Sequence, residues 1–200
     1  SRGLGDVYKR QVLGTLESEL ECCSNENVSL ENYINDYVNN FFDLDLINRL
    51  YNTIDPHPDY KKIKFSCDFD NIRPKLSILM RQNDKDMKPI VPNLYFSTAQ
   101  INILSFCIFL AKALHAKNDK REPVDCIFID DPIQSLDDIN ILSLIDLLRN
   151  LAFTNKKQII LTTHDKNFYE LLKRKMPANL FNSKFLKLYE RGKVTVDKVY

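Results

Sequence analysis

Four short stretches carry side chains that could do chemistry. Phe96-Ser97-Thr98-Ala99-Gln100 opens a long apolar segment that reads as a helix. Small hydroxyl residues at a helix start leave backbone N–H groups aimed along its positive end, which is how phosphate is held. The same residues also make an ordinary N-cap. Cys126-Ile127-Phe128-Ile129-Asp130-Asp131 reads as a buried strand that delivers two carboxylates at its C-terminal end, where α/β sheets place their ligands. Asp130 would hold Mg²⁺, directly or through water, because Mg²⁺ prefers oxygen ligands. Asp131 would orient or deprotonate an attacking water. Two adjacent acids after a strand are also a common way to start a loop.

Ser135-Leu136-Asp137 follows, suited to a loop that crosses to a second subunit, with Asp137 or Asp138 also able to cap the next helix. Thr162-Thr163-His164-Asp165 comes directly after a second apolar run. A histidine at a strand end can donate to a γ-phosphate or position water, or can simply be exposed.

The elements that must position these groups are legible from periodicity. Val12–Cys23 carries Val12, Leu16, Leu20 and Cys23 at helical spacing, and Ser24–Asn27 is expected to break it. Ser29 is expected to cap a second helix to about Asn52, and Ile54–Pro58 to be an extended break. Lys61–Phe69 alternates, with Ile63, Phe65, Cys67 and Phe69 on one face, which predicts a half-buried strand. Its partner is Leu76–Met80, after a turn at Asp70-Asn71 and before a charged loop over Gln82–Lys88.

Helices are expected over Tyr95–Leu114, Ile139–Leu151 and Asn167–Lys175, and buried strands over Asp125–Asp130 and Gln158–Thr162. A closing hairpin pairs Phe185–Tyr189 with Lys193–Val199 over Arg191-Gly192. The alternation of strand and helix predicts an α/β fold with a mostly parallel sheet covered on both faces by helices.

Composition bounds the rest. The 200 residues suit one domain with a real core, and 44% apolar with 28% charged residues is ordinary for a soluble globular protein. No apolar run is long enough to span a bilayer, and no secretory signal is visible. The five cysteines are odd in number and form no C-x-x-C pair, which points to thiols in a reducing cytoplasm. A net charge of +1 gives no global signature of nucleic-acid binding.

Asp6–Gln11 resembles an in-frame translation of the end of a transposon-based sequencing adapter, so residues 1–11 are set aside from fold reasoning. Removing Arg2, Lys9, Arg10 and Asp6 with them moves the net charge from +1 to −1. On this reading the native protein begins upstream. Residues 12–53 form a helical segment, a possible end of a coiled coil, and residues 54–200 form the main lobe.

Together, and in this order, the four stretches resemble the C-terminal lobe of an ABC ATPase head, a P-loop NTPase fold. Phe96–Gln100 matches the signature motif, usually L-S-G-G-Q; Ile127–Asp131 matches Walker B; Ser135–Asp137 matches the D-loop; His164 matches the switch histidine. The arrangement is most similar to SMC-type, RecN-like and SbcC-like ATPases. The run Asp130–Asp138 resembles bacterial SMC-like proteins of DNA repair and Lamassu-type phage defence.

The resemblance implies two heads that sandwich ATP and Mg²⁺. Ser97, Thr98, Ala99 and Gln100 would contact the γ-phosphate on the opposite head. Asp130 would serve the metal, Asp131 the water, Asp137 the coupling between sites, and His164 the sensing of the γ-phosphate. Implied partners are a second head, an N-terminal lobe carrying Walker A, DNA, and an effector or nuclease subunit; no membrane is implied.

Three departures stand out. Thr98 and Ala99 replace the two glycines that allow close backbone approach. Asp131, one methylene shorter, replaces the usual glutamate. No G-x-x-x-x-G-K-S/T occurs, so this fragment alone is not expected to hydrolyse ATP. Two alternatives follow: a nucleotide-binding regulatory module without turnover, and a metal-dependent nuclease using Asp130, Asp131, Asp137 and Asp138 as a two-metal cluster.

Overall fold

The computed structural model describes residues 2–56, 62–69, 75–81, 92, 95–134, 136–154, 156–190 and 192–197, with side chains from residue 8 onward except those of Arg81 and Glu190. Helix α1 runs Arg2–Phe41 and α2 Leu44–Ile54; strands β1 (Lys62–Asp68) and β2 (Lys75–Arg81) follow. Then come α3 (Thr98–Leu114), β3 (Cys126–Asp130), α4 (Asp138–Thr154), β4 (Gln158–Thr162), α5 (Lys166–Lys175), α6 (Ala178–Phe181), β5 (Phe185–Glu190) and β6 (Lys193–Asp197).

The expected break at Ser24–Asn27 is absent, and Ser29 lies inside α1 rather than at a cap. Serine, asparagine and glutamate each cost a helix only tenths of a kcal/mol, and no glycine or proline is there to stop it. The chain turns instead at Asp43, whose φ of 51° is left-handed and whose carboxylate accepts the Leu46 N–H to cap α2. Aspartate tolerates that conformation better than most residues. The turn lets α2 bury Ile47, Leu50, Tyr51 and Ile54, while every side chain from 8 to 30 stays exposed.

β1 and β2 pair antiparallel with Phe65 opposite Ile78. The outer edge of β1 meets no strand among the described residues. Three asparagines from the helices take that place. Asn39 accepts from the Phe65 N–H (2.9 Å) and donates to the Phe65 carbonyl (3.0 Å), and Asn48 does the same for Ile63 (2.7 and 3.1 Å). Asn35 accepts the Cys67 N–H (2.7 Å). An amide side chain has the donor and acceptor of a peptide, so the three stand in for a neighbouring strand.

β3 and β4 pair in parallel, Cys126 opposite Gln158 through Asp130 opposite Thr162. Ile127 and Ile129 enter one core with α2, α3, α4 and Phe168 of α5. Phe128 points the other way and is 67% exposed. The expected cover on both faces is therefore present on one face only: the strand carries apolar residues for two sides, and the described helices bury the Ile127 and Ile129 side.

β5 and β6 form the closing antiparallel hairpin, with Gly192 at φ 81°, a conformation glycine adopts without strain. The helix over Tyr95–Leu114 starts later, at Thr98, and the short α6 after Pro177 had no periodic signal. The turn at Asp70-Asn71, the loop Gln82–Lys88, and Lys61, His57, Pro58, Ser135, Arg191 and Val199 lie outside the described residues.

Candidate active site

The parallel register puts the ends of β3 and β4 side by side. Asp130 and Thr162 are partners, and the Thr162 hydroxyl donates to the Asp130 carboxylate. Asp131 then leaves the strand in the left-handed region (φ 43°) while its N–H still donates to the Thr162 carbonyl (2.9 Å). That turn sends its carboxylate to the next two residues of the neighbouring strand exit. One oxygen accepts from Thr163 Oγ1 (3.1 Å) and the other meets His164 Nδ1 (2.8 Å).

Thr163 Oγ1 itself accepts the Asp165 N–H (3.1 Å), and Asp165 caps α5 by accepting the Phe168 N–H (2.7 Å). Phe168 is buried at 2% exposure, so the chain of bonds is anchored in the core. Asp131, Ile133, Gln134, His164 and Asp165 line an open depression of about 360 Å³.

The second half is the start of α3. Ser97 caps it with a complete capping box: its hydroxyl accepts the Gln100 N–H (3.2 Å), and Gln100 Oε1 accepts the Ser97 N–H (3.0 Å). The Ser97 hydroxyl keeps its own proton to donate, and the N–H groups of Thr98 and Ala99 precede the helix's internal ladder and point forward. Beneath the cap, buried Phe96 stacks on Tyr51 (5.7 Å between centroids, 6° between planes), which fixes where the helix begins. The Tyr51 hydroxyl is pushed up by burial and by the neighbouring Asp55.

The structure thus brings Asp130, Asp131 and His164 together. Ser97–Gln100 stands apart on another element, with Asn102 of α3 donating to the Gln134 carbonyl (3.3 Å) in the loop after β3. Asp137 sits at the start of α4, where its carboxylate accepts the Asn140 N–H (2.8 Å), so of the two candidate caps Asp137 is the one used. Sequence reasoning singled out His164 but gave no role to Thr162, Thr163 or Asp165. Aligning the two five-residue apolar strands end to end would have placed Thr162 opposite Asp130.

Asp130 is exposed, and with the Thr162 hydroxyl it offers oxygen donors that suit Mg²⁺. Among the described residues no three histidine, cysteine or acidic side chains gather to hold a metal. A Mg²⁺ held by one carboxylate plus phosphate oxygens and water needs no such group. A two-metal cluster of Asp130, Asp131, Asp137 and Asp138 does, and it does not assemble.

A family model described as an AAA domain matches residues 81–197, more than half of the chain. The chain belongs to that AAA-domain family. No curated protein matches it. Among solved structures, this AAA domain resembles one from work on ATP-driven dimerization and DNA-stimulated activation of SMC ATPases, with a TM-score of 0.51 and 16% identity, covering 82% of this chain and 90% of that one.

Two further structures are the Smc head bound to the C-terminal winged-helix domain of ScpA (TM-score 0.49, 16% identity, 78% of this chain and 43% of that one) and an Smc head with an extended coiled coil bound to the C-terminal domain of ScpA derived from Pyrococcus furiosus (0.47, 16%, 92% and 41%). The first of these matches gives the AAA domain the fold of an SMC-type ATPase head lobe; the AAA domain spans under half the length of the latter two chains. No described helix is long and apolar enough to cross a membrane.

Proposed function

We propose that this chain is the C-terminal lobe of an SMC-like ATPase that binds and hydrolyses ATP at a head–head interface to act on DNA, in the cytoplasm, in repair, chromosome maintenance or phage defence. One observation carries the reading: two parallel strands end together on a metal-ready carboxylate, Asp130, and a second carboxylate held against a histidine, Asp131 with His164. Catalysis of phosphoryl transfer is mostly positioning and charge stabilisation, and these are groups of that kind. Asp130 serves Mg²⁺, which neutralises phosphate charge when bound. Asp131 and His164 attend the attacking water. The Ser97 hydroxyl and the N–H groups of Thr98 and Ala99 reach the γ-phosphate held by a second head. Asp137 couples the two sites.

A partner lobe supplies the phosphate-cradling loop. Helix α1 is the end of the coiled coil: Leu13, Leu16, Leu20, Cys23, Asn27, Leu30, Ile34, Tyr37 and Phe41 alternate by three and four residues, the seam of such a coil. Leu20 on that seam is 74% exposed, and a polar Asn27 at one seam position would set the register of the partner helix.

Turnover decides the matter. The purified 200 residues should release no phosphate from ATP; joined to a lobe with a phosphate loop, they should, and Asp130→Ala should abolish it. Robust turnover by the chain alone would refute the proposal. Nucleotide binding in the joined head without phosphate release would favour the regulatory module, a second reading supported by the engagement of both Asp131 oxygens.

A further inference from the structure

Asp131 is poorly placed to take a proton from water itself. Its backbone N–H is bound to the Thr162 carbonyl, one carboxylate oxygen accepts from Thr163 and the other meets His164, and the side chain is only 14% exposed. His164 is the reverse case. It is 81% exposed, lines the open depression, and touches Asp131 through Nδ1 alone. A neutral imidazole that donates from Nδ1 has Nε2 free as an acceptor. The order of donors fixes this direction. A carboxylate has no proton to give, so Asp131 accepts both from the Thr163 hydroxyl, whose oxygen in turn accepts the Asp165 N–H, and from His164 Nδ1–H.

We infer that Asp131 is a positioning residue that holds His164 with Nδ1–H toward itself, and that His164 Nε2 is the proton acceptor for the attacking water. This rests on the ATPase reading above. In the step, the water oxygen bonds to the γ-phosphorus of ATP and the bond from that phosphorus to the bridging oxygen breaks. ADP leaves with the electron pair, and the water proton passes to Nε2 and then to solvent. An aspartate one methylene short of glutamate loses reach toward the water, and the imidazole restores it.

The first test needs no nucleotide. In the full chain labelled with ¹⁵N-histidine at about pH 8.5, two units above the ordinary imidazole value, long-range proton–nitrogen spectra report which ring nitrogen of His164 carries hydrogen; His164→Gln assigns the signal. The expected result is the Nδ1–H form in the wild type and the Nε2–H form, which free imidazole prefers, in Asp131→Ala. An Nε2–H wild type overturns the inference without touching the ATPase reading, and needs no variant to fold. The second test uses the chain joined to its phosphate-loop lobe: His164→Ala should slow ATP hydrolysis by about 10²–10⁴-fold, and free imidazole should restore part of it. Hydrolysis that imidazole does not restore overturns the proton role. A wild type with no hydrolysis overturns the ATPase reading, and the tautomer still decides the pairing.

Discussion

At the scale of single residues, the chain places capping and charge where two different jobs coincide. Ser97 closes the capping box of α3 and is also the residue proposed to meet a phosphate. Ser97→Ala should therefore cost about 0.5–2 kcal/mol of stability by urea unfolding even without any nucleotide. Asp197 is the other informative residue. The Lys187 ammonium (2.7 Å), then Lys173 (3.2 Å) and the Tyr169 hydroxyl (3.1 Å), hold its carboxyl down at about 2. Because the folded value lies below the unfolded one, the stabilisation is present above about pH 4 and is lost as pH falls through about 2. The β5–β6 hairpin should loosen from α5 across that window, seen as faster proteolysis or a shift in hairpin amide signals. A hairpin indifferent to pH between 4 and 2 would contradict this.

At the scale of elements, the asparagine ladder is what seats α1 and α2 on β1. Asn39→Leu leaves the Phe65 N–H and carbonyl without their side-chain partners, at about 1–3 kcal/mol for a buried group. The Phe65 amide should then exchange faster with solvent, while the Ile63 amide, still held by Asn48, and the β3 and β4 amides stay protected. The parallel pair itself was legible in the sequence, because Ile127–Ile129 and Ile159–Leu161 are short apolar runs that each end in polar residues. The ladder was not legible: Asn39 meets Phe65 across 26 positions, and nothing local marks an asparagine as a strand substitute. The break in α1 was misplaced for a related reason. Polar residues at 24–27 resemble a loop only until the helix is seen to be exposed on all sides there, whereas the true turn at Asp43 follows from α2 burying its apolar face.

At the scale of the whole molecule, the candidate residues were singled out by their types and order, while their mutual arrangement needed the fold. Asp130, Asp131 and His164 converge because β3 and β4 run parallel in register; that Asp131 turns left-handed and clasps His164 depends on the exit geometry of both strands. The faces left open also belong to this scale. Phe128 on β3, Leu188 and Val196 on the hairpin, and Leu13, Leu16, Leu20 and Leu30 on α1 are all apolar and exposed. They fit a lobe that works joined to others.

The most direct test of that account is light scattering on the chain joined to its phosphate-loop lobe, with and without ATP and Mg²⁺. A monomer that becomes a dimer only with ATP, and stays monomeric when Ser97→Arg blocks the start of α3, is the predicted result. A head that binds ATP yet shows the same mass with and without it, or a dimer untouched by Ser97→Arg, would contradict a nucleotide site shared between two heads.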